Sequence, residues 1–272
     1  MARGSTPVPL TAFQHAVLRT LATAPNDARY LAGGAALHFT PNSLRYSEDL
    51  DFFHDSETRV ASAFAADRDC LVRAGHAVDV ELSQPGFIRA TVRRGAEATR
   101  VDWAHDTAWR FMPLVHDELG GWLLHPVDLA INKLLALAGR DEPRDFVDIL
   151  YVHAQVLPLA GLAWAAAGKD PGFSPFSLLE LLKRRGRPRT EQVARLHLAG
   201  PFDLVRAKEV WTGALEDAER FAGARPPEEV GALYFSHAQE RFVVPASDRL
   251  LDAQGVVLHF GCPGGVVPRL TE

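Results

Sequence analysis

Apolar residues recur at helical spacing near the start of the chain and then give way to short alternating runs. Phe13, Val17, Leu18 and Leu21 predict a first helix over residues 11–24. The next part of the chain is predicted to hold strands over 30–32, 49–53, 77–82, 87–93 and 99–104, and helices over 35–39 and 56–74. Helices and strands that alternate, followed by strands joined by glycine turns, predict a mixed sheet in an α/β arrangement.

From residue 126 onward the pattern becomes mainly helical. Helices are predicted over residues 126–138, 143–156, 174–185, 190–198 and 203–222, and a small β-rich appendage over 233–244 and 256–267. The fold class is therefore predicted as α+β. The predicted domains are an α/β domain over 1–122, a helical domain over 123–225 and a β-rich C-terminal extension over 226–272.

Composition narrows the class of protein. The 272 residues are 47% hydrophobic and 23% charged, which is typical of a globular protein with a proper core. The net charge of -5 requires any nucleic-acid partner to bind a local basic patch. Two distant cysteines, Cys70 and Cys262, indicate neither a disulfide framework nor a zinc site. With no leader pattern and no run of about 18 apolar residues, we expect a cytoplasmic protein without a membrane partner.

Two aspartates share one face of a predicted buried strand. Asp49 and Asp51 alternate with Leu50 and Phe52, so the carboxylates project together, opposite the apolar side chains. Neighbouring carboxylates repel each other unless a cation lies between them, and Mg²⁺ prefers such oxygen ligands. The pair therefore predicts a magnesium site, with a solvated strand face as the alternative.

A third carboxylate is predicted on the same sheet. Val101 and Trp103 form an apolar face that leaves Arg100 and Asp102 on the other. If the two strands are neighbours, Asp102 completes a cluster that binds one or two metal ions, the arrangement suited to nucleotidyl transfer. Asp102 would help to activate the acceptor hydroxyl, and a single charge on a half-exposed strand is the alternative.

A glycine turn and a polar loop precede the carboxylate strand. Gly33 and Gly34 form a predicted turn before the helix predicted over residues 35–39, and such a turn allows backbone amides to approach a phosphate. Ser47 either contacts a phosphate or caps a turn. Arg45 either steadies carboxylates and phosphate or is an ordinary exposed arginine.

The helical region contains charged residues on otherwise apolar helices. Lys133 shares a stripe with leucines, and it either contacts the triphosphate together with Arg140 or extends its amine to water. Asp145 and Asp148, on the next helix, either pair with these cations or assist catalysis, and Asp145 also suits a helix first turn.

Residues 183–189 form the one dense basic run. This segment is predicted to receive the phosphate backbone of an RNA acceptor, and a solvated helix end is the alternative. Its candidate RNA-binding residues are Lys183, Arg184, Arg185, Arg187 and Arg189.

The chain resembles the nucleotidyltransferase AbiEii/AbiGii toxin family, which includes the MenT toxins, over roughly residues 30–150. The motifs that carry the resemblance are Gly33-Gly34 with Leu37, Arg45-x-Ser47-x-Asp49-Leu50-Asp51-Phe52-Phe53, and Lys133 through Arg140 to Arg144-Asp145-x-x-Asp148. The resemblance implies a polymerase-β-like nucleotidyltransferase domain followed by a helical domain. Ala35 departs from the pattern, because many nucleotidyltransferases place a phosphate-binding serine there.

The resemblance also implies a reaction and partners. A nucleoside triphosphate would be used together with Mg²⁺. The nucleotide and metal site would contain Ser47, Asp49 and Asp51, and Lys133 would contact the triphosphate. The tRNA 3′ end is the implied acceptor, and a cognate antitoxin protein is an expected partner in a toxin–antitoxin or phage-defence pair. Transfer to a small antibiotic-type molecule and nucleotide binding without catalysis are the alternatives.

Overall fold

A computed structural model describes residues 10–24, 29–39, 43–246, 251 and 255–268. The chain divides into two compact units, which we call the sheet unit, Met1–Ala108 with Leu114–His125, and the helical unit, Trp109–Pro113 with Pro126–Glu272. The domain boundaries expected from the sequence, after residues 122 and 225, stay predictions.

The described strands and helices follow the predicted order for most of the chain. The strands are β1 (Arg29–Ala32), β2 (Asp49–His54), β3 (Ala77–Gln84), β4 (Phe87–Arg94), β5 (Glu97–His105), β6 (Trp109–Arg110), β7 (Val115–Asp117), β8 (Gly121–Leu123), β9 (Leu233–Ser236), β10 (Arg241–Val243), β11 (Val256–His259) and β12 (Cys262–Pro263). The helices are α1 (Ala12–Ala22), α2 (Gly33–Leu37), α3 (Val60–Arg73), α4 (Pro126–Gly139), α5 (Pro143–Gln155), α6 (Leu159–Lys169), α7 (Pro175–Arg185), α8 (Thr190–Val193) and α9 (Leu204–Ala224).

The sheet unit contains a seven-stranded sheet in the order β3-β4-β5-β2-β1-β8-β7. Two-residue turns join β3 to β4 and β4 to β5 as antiparallel hairpins, whereas β2 runs parallel to β5 and β1 parallel to β8. The sheet is therefore mixed, as predicted, and β2 and β5 are neighbours.

The apolar face of this sheet forms the core of the unit. Leu50, Phe52, Val101 and Trp103 are at most 3% exposed. The indole ring of Trp103 packs edge-on against Phe64 of α3, with ring centroids 4.9 Å apart. Because side chains alternate along a strand, burial of this face directs the aspartates of β2 and β5 to the opposite face.

The helical unit packs α4, α6, α7 and α9 around apolar side chains. Helix α6, Leu159–Lys169, was absent from the sequence prediction. It is buried on nearly every side and consists largely of alanine, glycine and leucine. A helix that is apolar all round has no polar face and therefore no helical period.

Other predicted elements need correction. The segment predicted as one helix over residues 56–74 begins with a 3₁₀ turn, Glu57–Arg59, before α3. The helix predicted over 190–198 ends at Val193, the one residue of α8 that is buried, so a longer helix would gain little packing. The short strands β6, β7 and β8 were also absent from the prediction.

The predicted β-rich C-terminal region is confirmed. Strands β10, β9 and β11 form a three-stranded antiparallel sheet, and β12 pairs with β6. No single described helix has the length and apolar composition to cross a membrane, although α5 and α6, bent by 113°, meet that test as a pair.

Candidate active site

Asp49 and Asp51 leave the same face of β2, as the alternation predicted. Asp49 is 5% exposed and Asp51 is half-buried, while Leu50 between them lies in the core. The two carboxylates are thus held on one face of a strand that pairs with β5 along its whole length.

The register of the sheet brings Asp102 to this pair. Asp51 and Asp102 are direct partners across the parallel strands β2 and β5. Neighbouring strands lie about 4.8 Å apart, so side chains of direct partners on one face are adjacent. Arg89 of β4 is in turn the direct partner of Asp102. Arg89, Asp102 and Asp51 are therefore direct neighbours in one row across the strands β4, β5 and β2.

Two arginines neutralise this carboxylate face. Arg89 donates from Nε and Nη2 to the two oxygens of Asp102, at 2.9 and 2.6 Å. Arg100 donates from Nη2 to Oδ2 of Asp49 at 2.6 Å. The hydrogen bond to Asp102 raises the pKa of Arg89. Burial acts to lower the pKa of Arg100, but the hydrogen bond to Asp49 and the charge of that carboxylate leave it raised. Both arginines are held firmly as cations.

Sequence reasoning missed the role of these arginines. Arg100 was placed on the carboxylate face, but no partner was assigned to it, and Arg89 was not singled out. The two-residue turn between β4 and β5 was a usable signal, since it sets the register that faces Arg89 with Asp102.

The carboxylates have the donor chemistry of a hard-cation site. Asp49 and Asp51 offer oxygen ligands from one face of β2, and a Cβ on Gly33 would overlap the Asp51 carboxylate. These two residues fit a divalent cation. Among the described residues, however, no group of three or more His, Cys, Asp or Glu side chains is arranged to hold a metal ion. The predicted three-carboxylate metal cluster stays a prediction.

Gly33 and Gly34 lie directly beside the aspartates. Gly33 opens α2 with φ of +62°, a conformation that favours glycine. A Cβ on Gly34 would lie 2.8 Å from Nη2 of Arg45 and 3.0 Å from Oγ of Ser47. The glycine pair thus allows the polar loop and the carboxylate strand to approach the same short stretch of backbone.

Ser47 and Arg45 are buried, each 4% exposed. The Ser47 hydroxyl donates to the backbone oxygen of Asp49 at 3.0 Å, and Nε2 of Gln14 donates to the Ser47 carbonyl at 3.0 Å. In this structure Ser47 therefore orders the entry to β2. Ala35, which stands where many nucleotidyltransferases carry serine, is fully buried. Phosphate contact by Ser47 or Arg45 stays a prediction.

The charged residues of α4 and α5 form a second cluster, within the helical unit. Nζ of Lys133 lies 2.8 Å from Oδ2 of Asp148 and 3.4 Å from Oδ1 of Asp145. Arg140 donates to both oxygens of Asp145, at 2.7 and 3.1 Å. Both aspartates are fully buried and Lys133 is 7% exposed. The pairing that the sequence left open is thus present, and contact of Lys133 with a triphosphate stays a prediction.

The basic segment 183–189 begins at the end of α7. Lys183 pairs with Glu219 and, at 3.1 Å, with Glu180. Arg184, Arg187 and Arg189 are exposed, and within the described chain Arg184, Arg185 and Arg187 form no ion pair. Their position at a helix C-terminus also suits the helix dipole.

A mixed sheet that carries paired aspartates beside a glycine turn, followed by a helical region, is the arrangement of a nucleotidyltransferase. The family model for the nucleotidyl transferase AbiEii toxin of type IV toxin–antitoxin systems matches residues 16–217. The chain belongs to this toxin family and is a nucleotidyltransferase. The family implies a nucleoside triphosphate substrate and an antitoxin partner.

Solved structures are similar to this fold. MenT4, a nucleotidyltransferase toxin from Mycobacterium tuberculosis, is 17% identical with a TM-score of 0.50, over 77% of this chain and 85% of MenT4. JHP933 from Helicobacter pylori is 17% identical with a TM-score of 0.46, over 78% of this chain and 92% of JHP933. No curated protein matches the sequence.

Proposed function

We propose that the protein transfers a nucleoside monophosphate from a nucleoside triphosphate to the 3′ end of tRNA, in a reaction that requires Mg²⁺. The observation that carries this proposal is the row in which Asp51 and Asp102 are direct partners, with Asp49 on the same face and the Gly33 backbone against Asp51. Membership of the toxin family supports the reaction class and a role in a toxin–antitoxin pair.

The reaction joins the acceptor hydroxyl oxygen to the α-phosphorus of the triphosphate. The bond between that phosphorus and the oxygen leading to the β-phosphate breaks, and pyrophosphate leaves. Asp102 would take the hydroxyl proton, and Arg89 would hold its carboxylate in place. Asp49 and Asp51 would hold Mg²⁺, which supplies charge neutralisation for the phosphates when it is bound.

The remaining predicted site residues have supporting roles in this proposal. The backbone of Gly33 and Gly34 would approach the triphosphate, and Arg45 and Ser47 would order the loop beside it. The other candidate site residues lie in the helical unit. There Lys133 and Arg140 would neutralise phosphate, Asp145 and Asp148 would position these cations, and Lys183, Arg184, Arg185, Arg187 and Arg189 would receive the RNA backbone.

The test is incubation of purified protein with each labelled nucleoside triphosphate, Mg²⁺ and total RNA. Wild type should label a tRNA-sized band, Asp51→Ala should not, and Asp79→Ala, which removes an exposed aspartate of β3, should behave as wild type. Omission of Mg²⁺ should abolish labelling.

Other outcomes would replace the proposal. Label on a small hydroxyl compound but on no RNA would indicate an antibiotic-type acceptor. Triphosphate binding without transfer to any acceptor would indicate a nucleotide-binding role. Equal labelling by a folded Asp51→Ala protein would contradict the proposed site.

A further inference from the structure

The two arginines of the carboxylate face use their donors in different ways. Arg89 engages both oxygens of Asp102 through two donors, the fork geometry that holds a carboxylate most firmly. Arg100 reaches Asp49 through Nη2 alone. The Arg89 pair therefore has the geometry of a fixed support, whereas the Arg100 pair depends on a single hydrogen bond.

Arg100 also has donor capacity left over. Its Nε is buried and has no hydrogen-bond partner among the described residues. A buried donor without a partner lowers stability, so such a group in a native protein calls for an explanation. The Arg100 side chain as a whole is 37% exposed, so part of it is accessible from solvent.

The position of Arg100 determines what that ligand can be. Arg100 is the direct partner of Asp49 across β2 and β5, and the next pair on the same face is Asp51 with Asp102. A divalent cation at Asp49 and Asp51 would compete with the guanidinium for the Asp49 carboxylate. The released guanidinium would remain on the same face, beside an anion that the cation brings with it.

We infer that Arg100 is an exchangeable counter-ion, which pairs with Asp49 in the free protein and transfers to a phosphate oxygen when a divalent cation and a triphosphate bind. This inference rests on the proposed function. It assigns Arg100 as a phosphate-binding residue, and it gives the buried Nε a partner in the loaded state.

Two binding measurements without catalysis test the exchange. The probes are Mn²⁺ alone, followed by electron paramagnetic resonance, and tripolyphosphate with Mg²⁺, followed by calorimetry. Arg100→Gln should bind Mn²⁺ about 10-fold more tightly, because the competing cation is gone, and should bind magnesium tripolyphosphate about 10-fold more weakly, because a phosphate donor is removed. Changes in opposite directions are the signature of exchange, and a purely structural role would not produce them.

Matched variants complete the test. Arg93→Gln removes an exposed arginine of β4 that pairs with Asp79 and should change neither affinity. Arg100→Lys keeps the positive charge, and it provides a second variant for the test if Arg100→Gln does not fold. It should bind Mn²⁺ nearly as weakly as wild type and still lose tripolyphosphate affinity, since lysine cannot present a planar fork of donors.

The outcomes separate this inference from the function on which it rests. If wild type binds both probes and a folded Arg100→Gln changes either affinity by less than about 2-fold, the exchange is wrong and the proposed function stands. The same conclusion follows if a folded Arg100→Lys keeps its tripolyphosphate affinity within about 2-fold of wild type. If wild type binds neither probe, the proposed function fails and the exchange fails with it.

Discussion

The carboxylate face of the sheet unit and the Lys133 cluster of the helical unit contain the same chemistry, aspartates paired with basic residues, in two different states. In the Lys133 cluster both aspartates are fully buried and each has short contacts to a cation. On the carboxylate face the arginines are about one-third exposed, and the buried Nε of Arg100 has no hydrogen-bond partner among the residues that the structure describes. Burial of Lys133 and both aspartates holds that cluster in one arrangement, although Arg140 is 48% exposed. The single hydrogen bond between the accessible Arg100 side chain and Asp49 suits exchange with ligands.

The largest expected effect separates activity from stability on the carboxylate face. Asp51→Asn should lower the rate of nucleotidyl transfer by about 1000-fold, because the position loses the charge that a cation requires. The melting temperature should change little, since removing one of the crowded carboxylates relieves repulsion. Labelled transfer and thermal unfolding measured on the same preparation check both parts, and a transfer rate within about 10-fold of wild type would contradict the assignment.

The second prediction concerns the stability of the helical unit. Lys133→Met leaves Asp148 buried without its lysine and should lower the free energy of unfolding by about 3–5 kcal/mol. Urea denaturation measures the change, with Lys208→Met on the outer part of α9 as the control. An unchanged free energy of unfolding would contradict the comparison, because it would mean that burial of the Lys133 cluster does not make its ion pairs important for stability.

A third prediction uses two glycines with the same backbone conformation. Gly33 and Gly95 both have φ of +62°, but a Cβ on Gly33 would overlap Asp51, whereas a Cβ on Gly95 would meet nothing within 4 Å. Both alanine variants should lose about 1–2 kcal/mol from backbone strain. Only Gly33→Ala should also lower Mn²⁺ affinity, and equal Mn²⁺ affinities for the two variants would show that the Gly33 backbone does not shape the cation site.

The smallest expected effect is at the basic segment. The double variant Arg184→Glu with Arg185→Glu should weaken RNA binding and reduce the salt dependence of the binding constant. The log–log slope should fall by about 0.7 for each RNA phosphate that the segment no longer neutralises. Arg206→Glu with Arg220→Glu, two exposed arginines of α9, is the charge-matched control. If the log–log slope is identical for both double variants, the basic segment is a solvated helix end that does not bind RNA.

Much of the sheet unit was predictable because its pattern is local. Alternation in Asp49, Leu50, Asp51 and Phe52 correctly assigned one apolar and one acidic face to β2. Two-residue turns identified the hairpins, and apolar stripes identified most helices. Helix α6 was missed for the opposite reason, since burial on nearly every side removes the contrast on which periodicity depends.

The candidate site was predictable in its residues but not in its pairings. Asp49, Asp51 and Asp102 were expected to share a face, which required only side-chain alternation and one assumption about neighbouring strands. The ion pair of Arg89 spans 13 positions within one hairpin, whose turn sets its register, whereas the ion pair of Arg100 spans 51 positions and no local pattern specifies it. Lys133 was recognised as a buried cation that needs an anion, but the sequence left open whether that anion is a triphosphate or Asp148.

The sequence by itself therefore determined the longer strands of the sheet unit, the acidic face and the family to which the chain belongs. Only the tertiary structure decided that Arg100 neutralises Asp49, that Gly33 lies against Asp51, and that Nε of Arg100 has no hydrogen-bond partner within the described part of the chain. The physical reason is that alternation and helical periodicity follow from the backbone geometry of neighbouring residues, whereas a salt bridge depends on strand register and packing between distant segments.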